Sequence, residues 1–281
     1  MRWLPVGPPT LGFAIGDEVD VSDGWVVRGL RIGPDLDGPE GILQGGFAAS
    51  LPLVAARLAD TFGAPVTSVA SRLHAPTPLD AELSVALRPA DGTARHEVQI
   101  RDGDTLLVSA VVELAGHEPA PRSGDLLALA GVPLPPPEPS DAYVYCWVCG
   151  SDPTHPHAQR LRMGRHGDGV VVPWVADETL ADDRGYVDPL VVGAMLDCPG
   201  VWSAMPQLEA AGWGGCLMGG LEVRPYRDVP TYEPLRLVAR LDGIDGRKVR
   251  VRTAIVDEAG TIYALGAGLH VAVAEMPALT G

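Results

Sequence analysis

The apolar positions of this chain change period in a repeated order. In the first half, WVVRGL (residues 25–30) reads as a strand, and a loop rich in Gly, Pro and Asp follows as far as Gly41. Residues 46–60 then form a block of small and aliphatic side chains of helical length. Four strand-like runs come next: VTSVASRLHA, AELSVALRP, ARHEVQIRD and TLLVSAVVEL. Asp102-Gly103-Asp104 predicts a tight hairpin between the third and fourth, and Ala90-Asp91-Gly92 a turn between the second and third. The second half repeats these signals. GVVVPWV is an early strand, an Asp-rich loop leads to a helix over residues 191–211, and GCLMGGLEVR, EPLRLVARL, RKVRVRTAI and TIYALGAGLHVAV supply four more strands. Turns are expected at Asp242-Gly243 and at Asp257-Glu258-Ala259-Gly260.

Both helices are poor in polar residues, so each must be covered nearly all round. A sheet curled around one long helix does this economically and predicts an α+β fold. Between the halves, residues 117–140 carry seven prolines and end in PLPPPEPS, the composition of an extended connector. Its LLALA is long enough only for a helical turn or a patch packed on a neighbour. The expected organisation is therefore an N-terminal unit at 1–118, a Pro-rich linker at 119–140 and a C-terminal unit at 141–281.

Composition narrows the function. With 46% hydrophobic and 20% charged residues the 281-residue chain is too apolar for disorder, and no apolar run approaches the ~20 residues of a membrane span. The formal charge of -15 repels phosphate backbones, which argues against a nucleic-acid partner. MRWLPVGPPT lacks the features of a secretory signal, so a cytoplasmic location is expected. An anionic ligand would need local cations, for which Arg224, Arg227, Arg247, Lys248 and Arg250 are candidates, with solvated strand ends as the plainer reading. Cys146, Cys149, Cys198 and Cys216 are expected as reduced thiols.

The helix-in-sheet order, the Gly-Gly before the first helix, and RLHAPTPLDAELSV followed by RDGDTLLVSAVVEL resemble the hotdog fold of acyl-CoA thioesterases. Two tandem copies resemble the double-hotdog members, acyl-CoA thioesterase II among them, and phenylacetyl-CoA-type hotdog thioesterases share the pattern of the single unit. The resemblance implies a thioesterase-like hydrolase of an acyl-CoA or related thioester, with one composite site between the units, no cofactor, and chains that can form homo-oligomers. In that family a His-Gly-Gly precedes the helix, and here Gln44-Gly45-Gly46 stands in its place. Helix-start amides and a dipole end beside glycine can form an oxyanion hole, although the same glycines could merely cap a closely packed helix. In the second copy Leu190 and Val191 follow Pro189 where the glycines would be, but Asp197 stands in the middle of the apolar helix. A carboxylate there is costly to bury unpaired, which suggests either a base or one end of a hydrogen-bond network. By the resemblance Asp197 would face the Gln44-Gly45-Gly46 loop, with Pro52 at its counterpart position.

The family adds a Thr on the following strand and a Gln on the last strand. Aligned on Arg224-Pro225, Gly215 or Cys216 takes the first place and about Gly268 the second, so both polar partners are expected to be missing. Gly215, Cys216, Gly268 and Arg224 are thus the expected substrate-side residues, and a non-catalytic acyl or small-molecule binding protein is the alternative function. The Asp-x4-His signature of hotdog dehydratases is absent. CWVCGSDPTHPH places His155 and His157 close behind Cys146 and Cys149, but the spacing strains a tetrahedral site. No metal is expected, and the thiols, Cys198 included, read as packing residues. His74 and His270 fall on strands without an assigned role.

Overall fold

The computed structural model describes residues 2–59, 65–90, 94–114, 119–121, 124–138 and 143–276. Three short strands open the chain, β1 (Trp3–Pro5), β2 (Ala14–Gly16) and β3 (Asp20–Ser22), none of them legible as a periodic run. They are followed by β4 (Trp25–Ile32), α1 (Gly45–Ser50), α2 (Pro52–Ala59), β5 (Val66–Leu73), β6 (Ala81–Pro89), β7 (Arg95–Asp102) and β8 (Thr105–Leu114). The second half contains β9 (Gly164–His166), β10 (Gly169–Trp174), α3 (Pro189–Ala210), β11 (Gly215–Pro225), β12 (Leu235–Asp245), β13 (Lys248–Val256) and β14 (Ile262–Val273).

All strands belong to one antiparallel sheet whose order is β1-β2-β4-β6-β7-β8-β5-β11-β14-β13-β12-β10-β9, with β3 beside β4. Read outward from its middle, the order is β5-β8-β7-β6-β4 on one side and β11-β14-β13-β12-β10 on the other. In each half the first strand after the helix is innermost and the long strand before the helix lies at the far end of these five, with β1 and β2 beyond it in one half and β9 in the other. The halves meet where Val69 to Arg72 of β5 pairs with Val223 to Gly220 of β11.

The expected first helix is broken. Leu51 closes α1 and Pro52 opens α2, because a proline has no N–H to continue the ladder. The expected end at Asp60 lies outside the described residues, as do Asp91 and Gly92 of the predicted turn and the linker residues 117–118, 122–123 and 139–140. The Asp102-Gly103-Asp104 hairpin forms as read, with Asp102 opposite Thr105. The turn placed at Asp242-Gly243 does not. Strand β12 bulges at Asp242, pairs Gly243 with Arg250 and continues to Asp245, which pairs with Lys248, while Gly246 makes the tight turn at φ 57°. LLALA packs as one of its two readings allowed: Leu126, Leu129 and Ala130 lie against Val171, Val238, Ala254, Val256 and Ile262, and residues 127–129 make a single 3₁₀ turn.

Helix α3 starts one residue after Asp188, whose carboxylate accepts from Leu190 N at 2.8 Å, with Pro189 in the first turn. It continues through two internal prolines. Pro206 cannot donate to the carbonyl of Trp202, and Arg165 Nη2 serves that oxygen instead at 3.0 Å. The helix lies against β10–β14, α2 lies against β5–β8, and α1 packs on α3. The α1–α3 crossing is backbone on backbone. A Cβ on Gly46 would stand 2.3 Å from Gly193 O and 2.7 Å from Ala194 Cα, so only glycine permits this approach.

Candidate functional site

The close crossing brings Asp197 to the start of α1. Asp197 is 6% exposed, and both of its oxygens are engaged. Oδ2 accepts from Gln44 Nε2 at 2.8 Å and from Gly46 N at 3.0 Å, and Oδ1 lies 2.9 Å from His270 Nε2. The carboxylate can only accept, so Nε2 carries the proton in this pair. Gln44 works in two directions: its Oε1 accepts from Phe47 N at 2.9 Å and caps α1, while its amide nitrogen serves Asp197. These bonds distribute the donors of the α1 start. Gly46 N is taken by Asp197, Phe47 N by the Gln44 side chain and Ala48 N by Gln44 O. Gly45 N alone among them bonds to nothing in the described residues. Its missing side chain is needed, because a Cβ there would lie 2.8 Å from Asp197 Oδ2 and 2.7 Å from Met218 Cβ.

Asp197, Gln44 and Gly45 border a cavity of about 240 Å³. Ile42, Leu43, Leu73, Val201, Trp202 and Met218 supply much of its apolar wall, and His74, Thr77 and Tyr143 add polar groups. Burial and nearby Arg72 hold the His74 imidazole below its ordinary pKa. Four thiols also reach the cavity: Cys146, Cys149, Cys198 and Cys216. Burial and the Asp197 charge push Cys216 up to about 12. Hydrogen bonds from Cys149 and Cys198 hold the Cys146 thiol well below the usual range, and the same sharing raises the other two.

Of the other residues expected on the substrate side, Cys216 borders the cavity and three do not. A Cβ on Gly215 would meet Tyr143 Oη and Met276 Sδ, each at 2.9 Å, so this glycine makes room for Tyr143. A Cβ on Gly268 would meet Val251 and, at 3.0 Å, His270 Cε1, so that glycine gives space to the imidazole. Arg224 is exposed and paired with Glu222. The expectation that no polar partner comes from the last strand is corrected: it comes two residues beyond Gly268, on the same strand face, as His270. The expectation that the Gly46 amide belongs to an oxyanion hole is also corrected, since that amide is spent on Asp197. Strand periodicity places His270 inward, but only its pairing with α3 gives it a role. His155 and His157 stay away from the thiols. His155 Nε2 lies 3.6 Å from Asp37 Oδ2, and His157 is exposed.

No known family model matches the sequence, and no curated protein matches it. Solved structures do. A protein from Alicyclobacillus acidocaldarius described as having a hot dog fold superposes with a TM-score of 0.59 at 14% identity, covering 91% of this chain and 95% of that one. The chain has the hotdog fold. An acyl-CoA thioesterase II from Mycobacterium marinum matches this hotdog protein with a TM-score of 0.60 at 14% identity, over 94% of this chain and 97% of the other. The pyran synthase domain from module nine of the sorangicin pathway matches with a TM-score of 0.66 at 17% identity, over 92% and 98%. A thioesterase and a pyran synthase domain both superpose on this chain, so the likeness establishes architecture and leaves chemistry to the side chains. Among the described residues no helix is long and apolar enough to cross a membrane.

Proposed function

We propose that the chain is two tandem hotdog units, residues 1–118 and 141–281 joined by the Pro-rich 119–140, and that it hydrolyses an acyl thioester of the CoA type at one composite site. The repeated strand order supports the tandem reading. The observation that carries the activity is the convergence, on one cavity wall, of a carboxylate from α3 and a free amide donor from the start of α1.

In this reading a water beside Asp197 gives its proton to the carboxylate as its oxygen adds to the thioester carbonyl. The oxyanion accepts from Gly45 N–H, which needs no rearrangement to donate. Collapse expels the thiolate, which takes the proton from Asp197. His270 and Gln44 hold the carboxylate in place from opposite sides. The start of α3 cannot form a matching site, since Asp188 already caps it and it lacks the glycine pair. At about 240 Å³ the cavity is smaller than the ~300–1,000 Å³ of drug-sized ligand sites, which suits a short acyl or aryl group.

A second reading has its own observation. Asp197 already accepts three hydrogen bonds, as a structural link between the helices would, and the same cavity could bind an acyl ligand without turnover. Thiol release from a panel of short acyl- and aryl-CoA esters tests the first reading. Calorimetry with a non-hydrolysable thioether analogue tests both: turnover supports hydrolysis, saturable binding without turnover supports the binding protein, and neither result removes both.

A further inference from the structure

Three of the four cysteines converge at one point of the cavity wall. Cys146 and Cys149 lie on the turn that ends at Gly150, and Cys198 follows Asp197 on α3. Their sulfurs all lie within 4.8 Å of one another, and Cys146 Sγ is 3.5 Å from Cys198 Sγ. All three residues are buried. Four zinc ligands at the usual ~2.3 Å place sulfurs about 3.8 Å apart, so this triangle needs only small side-chain rotations to become three corners of a tetrahedron.

The surroundings suit anionic sulfur. Gly150 N donates to Cys146 O at 2.6 Å, and a Cβ on Gly150 would stand 2.4 Å from the carbonyl oxygens of Cys146 and Val144, so the turn is closed too tightly for any other residue. The amides of Val148 and Cys149 lie on the same turn as the Cys146 sulfur and favour its charged form. The indole N–H of Trp202 is buried without a partner and faces Cys149. Gln44 Nε2 lies 3.6 Å from Cys198 Sγ. Donors therefore point at the cluster from several elements, whereas thiols packed as small apolar residues need none.

We propose that Cys146, Cys149 and Cys198 bind one Zn²⁺ ion in the cavity wall, with the fourth coordination position open to the cavity. All three cysteines line that space, so water or a small ligand completes the tetrahedron, as in zinc sites that retain an exchangeable position. Each ligating thiol releases its proton on binding, so affinity rises with pH. The site rests on sulfur geometry and stands or falls separately from thioester hydrolysis.

The full chain is produced without a histidine tag, purified under reducing conditions without chelator, and assayed for zinc by mass spectrometry. The metal-free chain is then titrated with Co²⁺. The proposal expects one zinc per chain and, with Co²⁺, intense sulfur-to-metal charge-transfer bands with tetrahedral visible bands saturating at one equivalent. Cys198→Ser should abolish stoichiometric zinc, and Cys216→Ser should retain it. The Co²⁺ titration uses the unmodified chain, so it decides the matter even if a variant fails to fold. Absence of zinc and of charge-transfer bands while all thiols titrate as free overturns the proposal. A disulfide among the three in the freshly isolated chain, retained under mild reductant, overturns it equally.

Discussion

Gly46→Ala tests the contact on which the site is built. The new Cβ would sit 2.3 Å from Gly193 O and 2.7 Å from Ala194 Cα. Both are backbone atoms in a buried helix, so no side-chain rotation relieves the clash, and α1 must withdraw by about 1 Å to restore ordinary contact. Overpacking of this kind costs roughly 1–3 kcal/mol, and the rigid backbone on the other side puts this case at the upper end. Alanine's better helix propensity returns at most about 1 kcal/mol. The net is about 2 kcal/mol, or a melting temperature lower by roughly 3–4 °C for a chain of this size. The same withdrawal lengthens the Gly46 N–Asp197 Oδ2 bond, so site function should fall further than stability. Gly243→Ala is the control, since nothing lies within 4 Å of a Cβ there and its backbone is unstrained. It should stay within about 0.5 kcal/mol of wild type. Calorimetric melting of the three proteins measures the difference. If Gly46→Ala melts at or above wild type, the helices do not cross at backbone contact and the glycine pair only punctuates the chain.

His270→Gln retains an N–H donor for Asp197 Oδ1 and should melt within a few degrees of wild type, whereas His270→Ala leaves a buried carboxylate short of a donor beside a void and should cost at least about 2 kcal/mol by denaturant titration. Equal losses would show that the ring fills space and does not hold the carboxylate. The Arg252 guanidinium bound to Asp125 holds its carboxyl at about 2, below the usual carboxylate range. The folded carboxyl is thus the stronger acid, so the stabilisation is complete above about pH 4 and fades as pH falls toward 2. The pair is half exposed, so the effect is local: protection of the amides over residues 124–130, relative to intrinsic exchange, should fall across that window, and Asp125→Asn should lower it above about pH 4 and match wild type near pH 2. Protection that does not change down to about pH 2 would contradict the ion-pair assignment.

Most of the sheet was legible because its strands are apolar runs of strand length bounded by turn residues, with clear alternation in β14, and the helices because their apolar blocks exceed strand length. The sites that escaped are those where neighbours decide. Asp242-Gly243 looked like a turn, but β12 accommodates Asp242 as a bulge and turns at Gly246 instead. Strands β1–β3 and the turn carrying Cys146 and Cys149 are too short for any period to show. Trp147 fixes that turn in place: it is fully buried, 5.0 Å from the Phe47 ring, and its amide bonds Asp37 O at 2.7 Å. Asp197 could be singled out because a carboxylate in an apolar helix is conspicuous by itself. His270 and Cys198 could not, since a histidine on a strand and a cysteine on a helix have plain packing roles until the fold places them beside Asp197 and the Cys146 turn.

The central claim is that Asp197 moves a proton from the attacking water. Asp197→Asn is nearly isosteric and keeps an oxygen able to accept from Gln44 and Gly46, so the fold should survive. The decisive quantity is kcat/KM for the best thioester substrate, wild type against Asp197→Asn, with the melting temperatures of both recorded. Loss of a positioned general base predicts a fall of about 10²–10⁴-fold with melting changed by only a few degrees. A variant that is folded and as fast as wild type would contradict the account.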